Sequence, residues 1–522
     1  MRQNKIIVTM LMVVLLLIGG VSGGQYGNQW SSAAPKHSKG AATFVIAAND
    51  ASVAVKSVAD YRCDGTADNV QIQTALTACV TNGGTVELSE GTFNIITPLI
   101  VGNKLKLKGQ GPATIVKVTD DVQDIAITCL DRTNGNTDIT LENFTINGNK
   151  ENQDGPGSPA NYAALYTIYT NKYPGSGGAG LGCVDFRKCS RVRISKVTIY
   201  DGFPSCLELA TCDDCVITEN VIHDSGDDCI GVNLACHDCT VSNNVIYNPG
   251  VSTGVWATTS GHGVEVQDGS YSVSIFGNTI RDGTASGIEV SSHAVGGVCY
   301  DVTISGNVIR DCTDCGVSIT SVQDPASQHT GISIVGNNFW NLGTRTMLGV
   351  QIQGGNNINI ASNTFNSCEV GVRITTDTDA PTSNNLIIAH NNFIGVTTNS
   401  IVAIKVDHGA LTITGLCIIG NTMKDFSPAI YLWGGTGSNL LVINGFAMTG
   451  NVITTARTNA TTILASTTGV TVNGLMFNNI IDKNGTGQWF KGVSDSLDPA
   501  SVAGTWNNGN NYYADGTACP IS

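Results

Sequence analysis

Apolar residues recur at fixed distances from a repeated asparagine through much of the chain. One apolar residue stands three positions before each asparagine and another stands two positions after it, as in VITENVIHD and TISGNVIRD. The ten asparagines are Asn220, Asn244, Asn278, Asn307, Asn337, Asn363, Asn391, Asn421, Asn451 and Asn479. They are 24 to 34 residues apart, a repeat length that is typical of folds built from stacked units.

A second apolar–x–apolar segment recurs once in each unit, for example LEL at 207–209, VEV at 264–266 and IKV at 404–406. Alternation with a period of two predicts short strands that bury one face. Short strands separated by Gly, Asn and Asp turns predict a parallel β-helix in which each unit forms one coil. Coils stacked about 4.8 Å apart would align equivalent residues in columns. We expect the asparagine column to lie at a turn and to bond from coil to coil.

The two ends of the chain depart from this repeat. Residues 44–100 predict an N-terminal cap and the first strands, including one helix with Asp68 as its N-cap and Gly83 beyond its end. The apolar face of that helix comprises Ile72, Ala75, Leu76 and Cys79. Residues 101–495 predict the β-helix itself, and residues 496–522 predict a C-terminal tail or cap.

Residues 1–23 have the features of a secretory signal peptide. Arg2 and Lys5 precede the apolar stretch IIVTMLMVVLLLIGG, and small residues follow it. That stretch is short for a membrane span, and no second one of spanning length follows, although an uncleaved anchor is an alternative. We therefore expect residues 24–43 to be a linker and the mature chain to lack a transmembrane segment. The expected location is secreted, extracellular or at the cell surface.

The composition fits this fold and excludes one class of partner. Charged residues make up only 13% of the 522 residues, while glycine occurs 61 times. The net charge is −14, and no cluster of lysine and arginine occurs. Nucleic-acid binding wants a basic face, so we expect no nucleic-acid partner.

The segments DYRCDGTADNVQIQTAL, GGTVELSEGTFNI and LKLKGQG resemble the N-terminal signature of the pectate-lyase and polygalacturonase superfamily. The later repeats also resemble those of that superfamily. The resemblance implies an all-β, right-handed parallel β-helix with an N-terminal capping α-helix.

Two further stretches resemble polygalacturonase motifs. Asp227–Asp228–Cys229 is similar to the Asp-Asp-Cys motif of those enzymes, and Gly261–His262–Gly263 is similar to their Gly-His-Gly motif. The resemblance implies that Asp227 is a general acid, that Asp228 activates water and that His262 assists. The Asn-Thr-Asp and Arg-Ile-Lys segments of the family have no counterpart at residues 203–205 and 289–291.

The middle residue of each apolar–x–apolar strand is expected to face outward, beside the Asp227, Asp228 and His262 turn. This outward column reads Glu208, Gly231, Glu265, Glu289, Ser318, Gln351, Arg373, Lys405 and Tyr431. The glutamates predict a carboxylate-lined pit with a gap at Gly231, since neighbouring like charges create acid/base pairs or bind a cation. Carboxyl groups about 5–5.5 Å apart are typical of retaining glycosidases, and separations of about 6.5–9.5 Å are typical of inverting ones. The spacing of the column alone does not distinguish these two classes. The alternative is that these acidic side chains are ordinary solvent-exposed residues on the outer face of the sheet.

The candidate chemistry leaves two classes of function open. In the first, Asp227, Asp228 and His262 act on an extracellular polysaccharide that is held by Glu208, Glu265, Glu289 and Trp256. A glycoside hydrolase of this kind requires no cofactor and no metal ligands are assigned, whereas a lyase would need Ca²⁺ and a basic residue such as Arg281 or Arg310. In the second, the chain is a non-catalytic surface or adhesion protein that binds glycans.

Two cysteine pairs stand one coil apart, CDDC at 212–215 and CHDC at 236–239, within a chain of seventeen cysteines. Their spacing is close to that of a zinc site. Export favours disulfides or a stacked column of thiols instead.

Overall fold

The computed structural model describes nineteen segments of the chain. These are residues 42–153, 167–168, 171–173, 181–250, 261–293, 296–320, 328–341, 347–376, 382–396, 401–407, 411–426, 428–433, 441–454, 463–465, 470–481, 490–492, 502–503, 506–509 and 512–513. The expected signal peptide at 1–23 and most of the expected linker lie outside them.

Each coil contributes one strand to each of three parallel sheets, which we call sheet A, sheet B and sheet C. Sheet A contains Ala42–Ala47, Tyr61–Arg62, Gly84–Leu88, Leu105–Lys108, Thr140–Glu142, Arg193–Ser195, Val216–Thr218, Thr240–Ser242, Ser274–Phe276, Thr303–Ser305, Ser333–Val335, Gly355–Ala361, Thr382–Ala389, Thr412–Ile419, Leu441–Thr449, Val470–Phe477, Val502–Ala503 and Trp506–Gly509. Sheet B contains Gly91–Ile95, Thr114–Val118, Thr145–Asn147, Thr198–Tyr200, Val221–His223, Val245–Tyr247, Thr279–Arg281, Val308–Arg310, Asn338–Trp340, Thr364–Asn366, Asn392–Ile394, Thr422–Lys424, Val452–Thr454, Ile480–Ile481 and Tyr512–Tyr513. Sheet C contains Leu99–Val101, Ile127–Cys129, Gly182–Arg187, Ser205–Ala210, Ile230–Asn233, Val264–Gln267, Ile288–Ser291, Cys315–Thr320, Leu348–Gln353, Val370–Thr375, Val402–Asp407, Ile430–Trp433, Ile463–Ala465 and Phe490–Gly492. The predicted parallel β-helix is therefore confirmed.

The interior consists of apolar columns that run along the axis of the coils. The inward column of sheet A is formed by Ile194, Ile217, Val241, Ile275, Ile304, Ile334, Ile360, Ile388, Ile418, Met448 and Met476, all of them buried. In sheet B, the rings of Phe339, Phe365 and Phe393 stack with centroids 4.8 and 4.7 Å apart. A fully buried side chain of this size contributes about 1.5–3 kcal/mol, so the columns supply most of the cohesion between coils.

The asparagine column forms a continuous ladder at the turn between sheet A and sheet B. From Asn244 onward, each side-chain oxygen accepts two hydrogen bonds of 2.8–3.0 Å from the preceding ladder asparagine, one from its backbone N–H and one from its amide Nδ2. The Nδ2 groups also donate to backbone carbonyls, as from Asn391 to Ile360 at 2.8 Å. All ten side chains are buried, and the predicted coil-to-coil bonding is confirmed.

Two short helices and one 3-10 turn interrupt the strands near the N-terminal end. The helix α1 covers Val53–Val58, α2 covers Asn69–Cys79, and the 3-10 turn covers Lys150–Asn152. The apolar face of α2, namely Ile72, Ala75, Leu76 and Cys79, is buried in the same core as the first strands.

Asp68 occupies the predicted N-cap position of α2, but its side chain has a different role. Its carboxylate makes no cap bond to α2. Instead it accepts the backbone N–H of Gly65 at 2.9 Å and that of Asn94 at 2.8 Å. Asp68 therefore ties the preceding loop to the first strand of sheet B, a contact that only the tertiary structure creates.

The described parts of the C-terminal tail continue the coils. Val502–Ala503 and Trp506–Gly509 pair with the strand Val470–Phe477 of sheet A, and Tyr512–Tyr513 pairs with Ile480–Ile481 of sheet B. Among the described helices, none has both the length and the apolar character that crossing a membrane requires.

We predict that Asn391→Ala lowers the free energy of unfolding by about 2–4 kcal/mol, because it leaves several buried ladder groups without partners. The matched control is Asn392→Ala, which makes the same change at the next, exposed position and should cost less than about 0.5 kcal/mol. Chemical denaturation of the two variants checks this, and equal losses of stability would contradict a structural role for the ladder.

Candidate functional site

The acidic column of sheet C has the register that the sequence predicts. Glu208 pairs with Gly231, Gly231 pairs with Glu265, and Glu265 pairs with Glu289. The column continues through Ser318, Gln351, Arg373, Lys405 and Tyr431. It also begins one strand earlier, at Asp185. Four carboxyl groups therefore lie along five neighbouring strands.

The expected gap at Gly231 is occupied by the side chain of Glu208. A Cβ atom on Gly231 would lie only 2.1 Å from Glu208 Oε2 and 2.7 Å from its carboxyl carbon. The prediction of an open pit at this point is therefore wrong, because the glutamate leans along the column into the space that the glycine leaves free. The absence of a side chain at Gly231 serves to seat Glu208.

Glu208 is fully buried, at 0% exposure. Its Oε1 accepts a hydrogen bond from Asn233 Nδ2, while Oε2 has no hydrogen-bond partner within the described structure. Burial, followed by the negative charge of Asp185, raises the pKa of Glu208 well above its ordinary value. Burial of Glu208 therefore favours its protonated form, and the side chain offers no surface to a ligand.

Asp185 is equally buried, and its carboxyl group pairs with two arginines. Arg132 Nη1 lies 2.6 Å from Asp185 Oδ1, and Arg187 Nε lies 3.3 Å from the same oxygen. Sequence reasoning did not include these three residues in the site. The column alignment could have revealed Asp185, whereas the approach of Arg132 depends on a turn that the repeat pattern does not describe.

His262 links the predicted histidine motif to the acidic column. Its Nε2 lies 2.8 Å from Glu289 Oε2, and the side chains are 10% and 15% exposed. On the other side of the ring, Nδ1 accepts a hydrogen bond of 3.2 Å from the backbone N–H of Ser286. In the neutral ring this bond places the proton on Nε2, where it is donated to Glu289.

Glu289 and His262 shift each other's titration. Burial disfavours a charged imidazole, but the attraction and hydrogen bond of Glu289 outweigh it and raise the pKa of His262 to about 9. When the His262 ring takes up its second proton on Nδ1, it must lose the hydrogen bond that Nδ1 accepts from the Ser286 N–H. Burial likewise opposes the charge of Glu289, yet the attraction of His262 lowers the pKa of Glu289 below its ordinary value.

The pKa of Glu265 is shifted in the opposite direction to that of its neighbour Glu289. It is 6% exposed, and Ser291 Oγ donates to its Oε1 at 3.0 Å. Burial raises its pKa, and the charge of Glu289 raises it further, while His262 acts against both. Adjacent strands thus carry one carboxyl group that favours the protonated state and one that favours the charged state.

Asp228 lies in the turn before this site and faces a neighbouring coil. It is 7% exposed, and its Oδ1 accepts the backbone N–H of His262 at 2.7 Å. Burial, then the charges of Asp227 and Glu265, raise the pKa of Asp228 well above its usual range. In this position the Asp228 side chain holds the His262 turn in place.

Asp227 is more accessible than Asp228. Its side chain is half-buried, and its backbone carbonyl accepts the Ser225 hydroxyl at 2.6 Å and the Gly250 N–H at 2.8 Å. The turn is therefore fixed through the backbone of Asp227.

His293 borders the site and was not identified from the sequence. It is exposed at the end of the Glu289 strand, its Nδ1 contacts Gln267 Nε2, and its backbone N–H donates to Asp268 Oδ1 at 2.7 Å. Its charge favours the ionised forms of both Glu265 and Glu289. A histidine that directly follows an outward-facing glutamate strand was the available signal.

The remaining candidate residues are separate from this site. Trp256 lies outside the described residues. Arg281 and Arg310, the cations of the lyase hypothesis, belong to sheet B, where each pairs with the aspartate that follows it. Tyr173 donates to Asp124 Oδ1 at 2.6 Å, and Arg132 lies over its ring, so this aromatic residue covers the coil surface.

The described residues contain no group of three or more His, Cys, Asp or Glu arranged to hold a metal ion, the two cysteine pairs included.

Known proteins share this architecture. The sequence matches the family described as "Right handed beta helix region" over residues 107–270, 182–343 and 262–447, together more than half of the chain. The A-module of the Azotobacter vinelandii mannuronan C-5 epimerase AlgE6 is 16% identical with a TM-score of 0.53, over 74% of this chain and 96% of that one. DFA-IIIase from Arthrobacter chlorophenolicus A6 in complex with GF2 is 12% identical with a TM-score of 0.50, over 71% and 94%. These similarities show a common fold, and no curated protein sequence matches.

We predict that Gly231→Ala destabilises the chain by about 1–3 kcal/mol, because the new methyl group must displace the Glu208 carboxyl group. The Gly231 backbone does not adopt a positive φ, so alanine adds no backbone strain. A double-mutant cycle with Glu208→Ala checks this by denaturation. The cost of Gly231→Ala should fall by at least half in the Glu208→Ala background, and an unchanged cost would contradict the contact.

The His262–Glu289 pair predicts a pH-dependent contribution to stability. The raised pKa of His262 means that this contribution is complete below its ordinary value of about 6.5 and is lost as the pH rises through about 9. The lowered pKa of Glu289 means a second loss in acid. Glu289→Gln should therefore destabilise the protein by on the order of 2 kcal/mol near pH 6 and much less at pH 10.

Thermal unfolding of the wild type and Glu289→Gln across this pH range measures the difference. Glu219→Gln is the matched control, since Glu219 is a surface residue beside Lys196 and should show no such step. A destabilisation by Glu289→Gln that is the same at pH 6 and pH 10 would contradict the pairing.

Proposed function

This chain belongs to the right-handed parallel β-helix family, and on that basis we propose that it is an exported carbohydrate-active protein that hydrolyses an extracellular polysaccharide. The site is the acidic column around Glu265 and Glu289 together with His262. The groups open to solvent there are Glu289, Asp227 and His293, so the sugar chain approaches from their side.

The observation that carries this proposal is the pairing, on adjacent strands, of two carboxyl groups with different partners, Ser291 for Glu265 and His262 for Glu289. Burial and the Glu289 charge raise the pKa of Glu265, whereas His262 lowers that of Glu289. Titratable pairs whose surroundings push their pKa values apart are the usual basis of acid/base catalysis. Glycosidases use such a pair, one carboxylic acid and one carboxylate, on either side of the scissile bond.

The roles follow from these states. Glu265 holds the proton that the leaving-group oxygen needs, and Glu289 is the carboxylate that attacks the anomeric carbon or activates water. Paired strands lie about 4.8 Å apart, which favours the short separation of about 5–5.5 Å found in retaining enzymes. His262 is a positioning residue, because it holds Glu289 charged and correctly oriented. This chemistry needs neither an organic cofactor nor Ca²⁺.

Other observations support the class of substrate and the location. One structural neighbour is named for mannuronan, so the fold serves polysaccharide chemistry in that protein. The signal-like residues 1–23 support export to the cell exterior or surface. The net charge of −14 argues against nucleic acid as a partner.

We retain the polygalacturonase-like assignment, in which Asp227 and Asp228 are the catalytic pair, as an alternative to the glutamate pair. The raised pKa of Asp228 does not suit the water-activating base that the resemblance implies, and its carboxyl group is engaged with the His262 backbone. We therefore propose that Asp228 supports the turn and that Asp227 contacts substrate at the edge of the site.

Non-catalytic glycan binding at a cell surface is the second candidate. The observation that favours it is burial, since Glu208, Glu265 and Asp228 expose only 0%, 6% and 7% of their surfaces. An acid that a sugar cannot reach does not protonate a leaving group.

We predict that the full chain releases reducing sugar from at least one member of a panel of acidic and neutral polysaccharides. Glu265→Gln and Glu289→Gln should each lower kcat by at least about 100-fold, because each removes an acid/base group. Glu219→Gln, a surface change, should leave the rate unchanged. The measurement is reducing-end release for the wild type and the three variants.

The pattern among variants separates the alternatives. Full activity in Glu265→Gln and Glu289→Gln with loss in Asp227→Asn and Asp228→Asn would overturn the glutamate site in favour of the aspartate pair. Binding of a polysaccharide without any release would favour the adhesion protein.

A further inference from the structure

The outward surface of sheet A carries no charge over ten successive strands. The strands from Val216–Thr218 to Val470–Phe477 contain no Asp, Glu, Lys, Arg or His. Because alternate residues of a strand point to opposite faces, the neighbours of each inward residue point outward. One outward column is formed by Val216, Thr240, Ser274, Thr303, Ser333, Asn359, Ile387, Cys417, Ala447 and Leu475. We call the outward surface of these ten strands the uncharged face.

The lack of charge belongs to this face and not to the chain as a whole, whose net charge is −14. Sheet A itself begins with charged strands, where Lys108 Nζ lies 2.8 Å from Glu87 Oε2. The outward columns of the other two sheets also carry charges, for example Arg281 in sheet B and Glu289 in sheet C. Solubility favours charged residues on an exposed sheet, so it does not explain the uncharged face.

Large apolar side chains on the uncharged face are open to solvent. Phe276, Ile387 and Leu475 are 41%, 40% and 45% exposed. Between Ile387 and Ala447 in the outward column lies Cys417, which alone among the described cysteines is not buried. Apolar surface of this extent is typical of a site that another macromolecule covers.

We propose that the uncharged face packs against the same face of a second copy of this chain to form a dimer. Two chains of net charge −14 repel each other. The uncharged face lets them approach without bringing carboxylates together. A two-fold axis presents the same surface from both copies, so a single face with one kind of surface is sufficient. Sheets pack in this way about 10 Å apart, with their side chains interdigitated.

The size of the uncharged face suits a stable dimer. Ten strands with a spacing of about 4.8 Å extend about 45 Å along the coil axis. Outward residues two apart on a strand are separated by about 7 Å, and their side chains bring the width to about 15 Å. Full overlap therefore buries about 700 Å² of each chain, close to the roughly 800 Å² per partner of a standard stable interface.

A second copy fits this face better than a polysaccharide does. Sugar hydroxyls need polar side chains as partners, and sugar rings pack on aromatic faces. Ile387, Ile419 and Leu475 instead offer aliphatic surface, which gains free energy by burial against other apolar groups. The proposed glycan site lies on sheet C, so dimerisation through sheet A uses none of its residues.

Sedimentation velocity of the purified full chain over a dilution series tests the proposal. We expect the wild type to sediment as a dimer at micromolar concentration and to dissociate on dilution. Ile387→Glu should raise the dissociation constant at least about tenfold, because the symmetry places the new carboxylate in the interface twice. Val308→Glu is the matched control. It makes the same kind of change at an outward position of sheet B that is 36% exposed, and it should leave the dimer unchanged.

A second variant and a local readout keep the test decisive if Ile387→Glu does not fold. Ser333→Lys adds a charge near the middle of the uncharged face and should also weaken the dimer. Alkylation of Cys417 in the folded chain should be slower in the wild type than in Ser333→Lys, because the second copy covers it. Circular dichroism establishes that each variant is folded.

A wild-type chain that is monomeric at every concentration would overturn the proposal. So would a dimer that Val308→Glu weakens as much as Ile387→Glu does. Binding of a monomeric chain to insoluble cellulose that Ile387→Glu abolishes would also overturn it and would assign the face to a polysaccharide. The dimer is measured without substrate, so the result is independent of whether the chain cleaves a polysaccharide.

Discussion

In-register hydrogen bonding between successive coils is the constraint on which the rest of this structure depends. It turns residues about two dozen positions apart into neighbours at one strand spacing. The same register aligns the apolar columns, the asparagine ladder and the acidic column. Apolar and amide columns gain from such stacking. A column of carboxylates does not, because like charges at this distance repel.

The repulsion between neighbouring carboxyl groups is reduced in a different way at each position of the acidic column. Asp185 pairs with two arginines, Glu208 is buried with a raised pKa, and Glu289 pairs with His262, which lowers the pKa of Glu289. Glu265 lies between the last two and favours its proton. A raised pKa at Glu265 beside a lowered pKa at Glu289 is a consequence of stacking acids, and it is also the arrangement that acid/base chemistry uses. The proposed function rests on that coincidence.

Much of the fold could be predicted from the sequence because each position of the repeat corresponds to one position in the coil. The distances from each ladder asparagine to its apolar neighbours define two strands and a turn, and the apolar–x–apolar segments define the third strand. From these, the pairing of Glu265 with Glu289 follows by alignment alone. The role of Asp68 did not follow, since its partners Gly65 and Asn94 come together only in the folded cap.

The site was predictable as a column but not as a set of contacts. Alignment gives the neighbour of each residue, yet it does not give the direction of a side chain. It missed that Glu208 leans over Gly231, that Arg132 reaches Asp185 from a turn, and that His293 borders the glutamates. Neutron diffraction from a deuterated crystal at pH 7 tests the central claim most directly, because it locates the protons in the site. The account predicts a deuteron on the Glu265 carboxyl group and on His262 Nε2, and none on Glu289. A bare Glu265 or a deuterated Glu289 carboxyl group would contradict it.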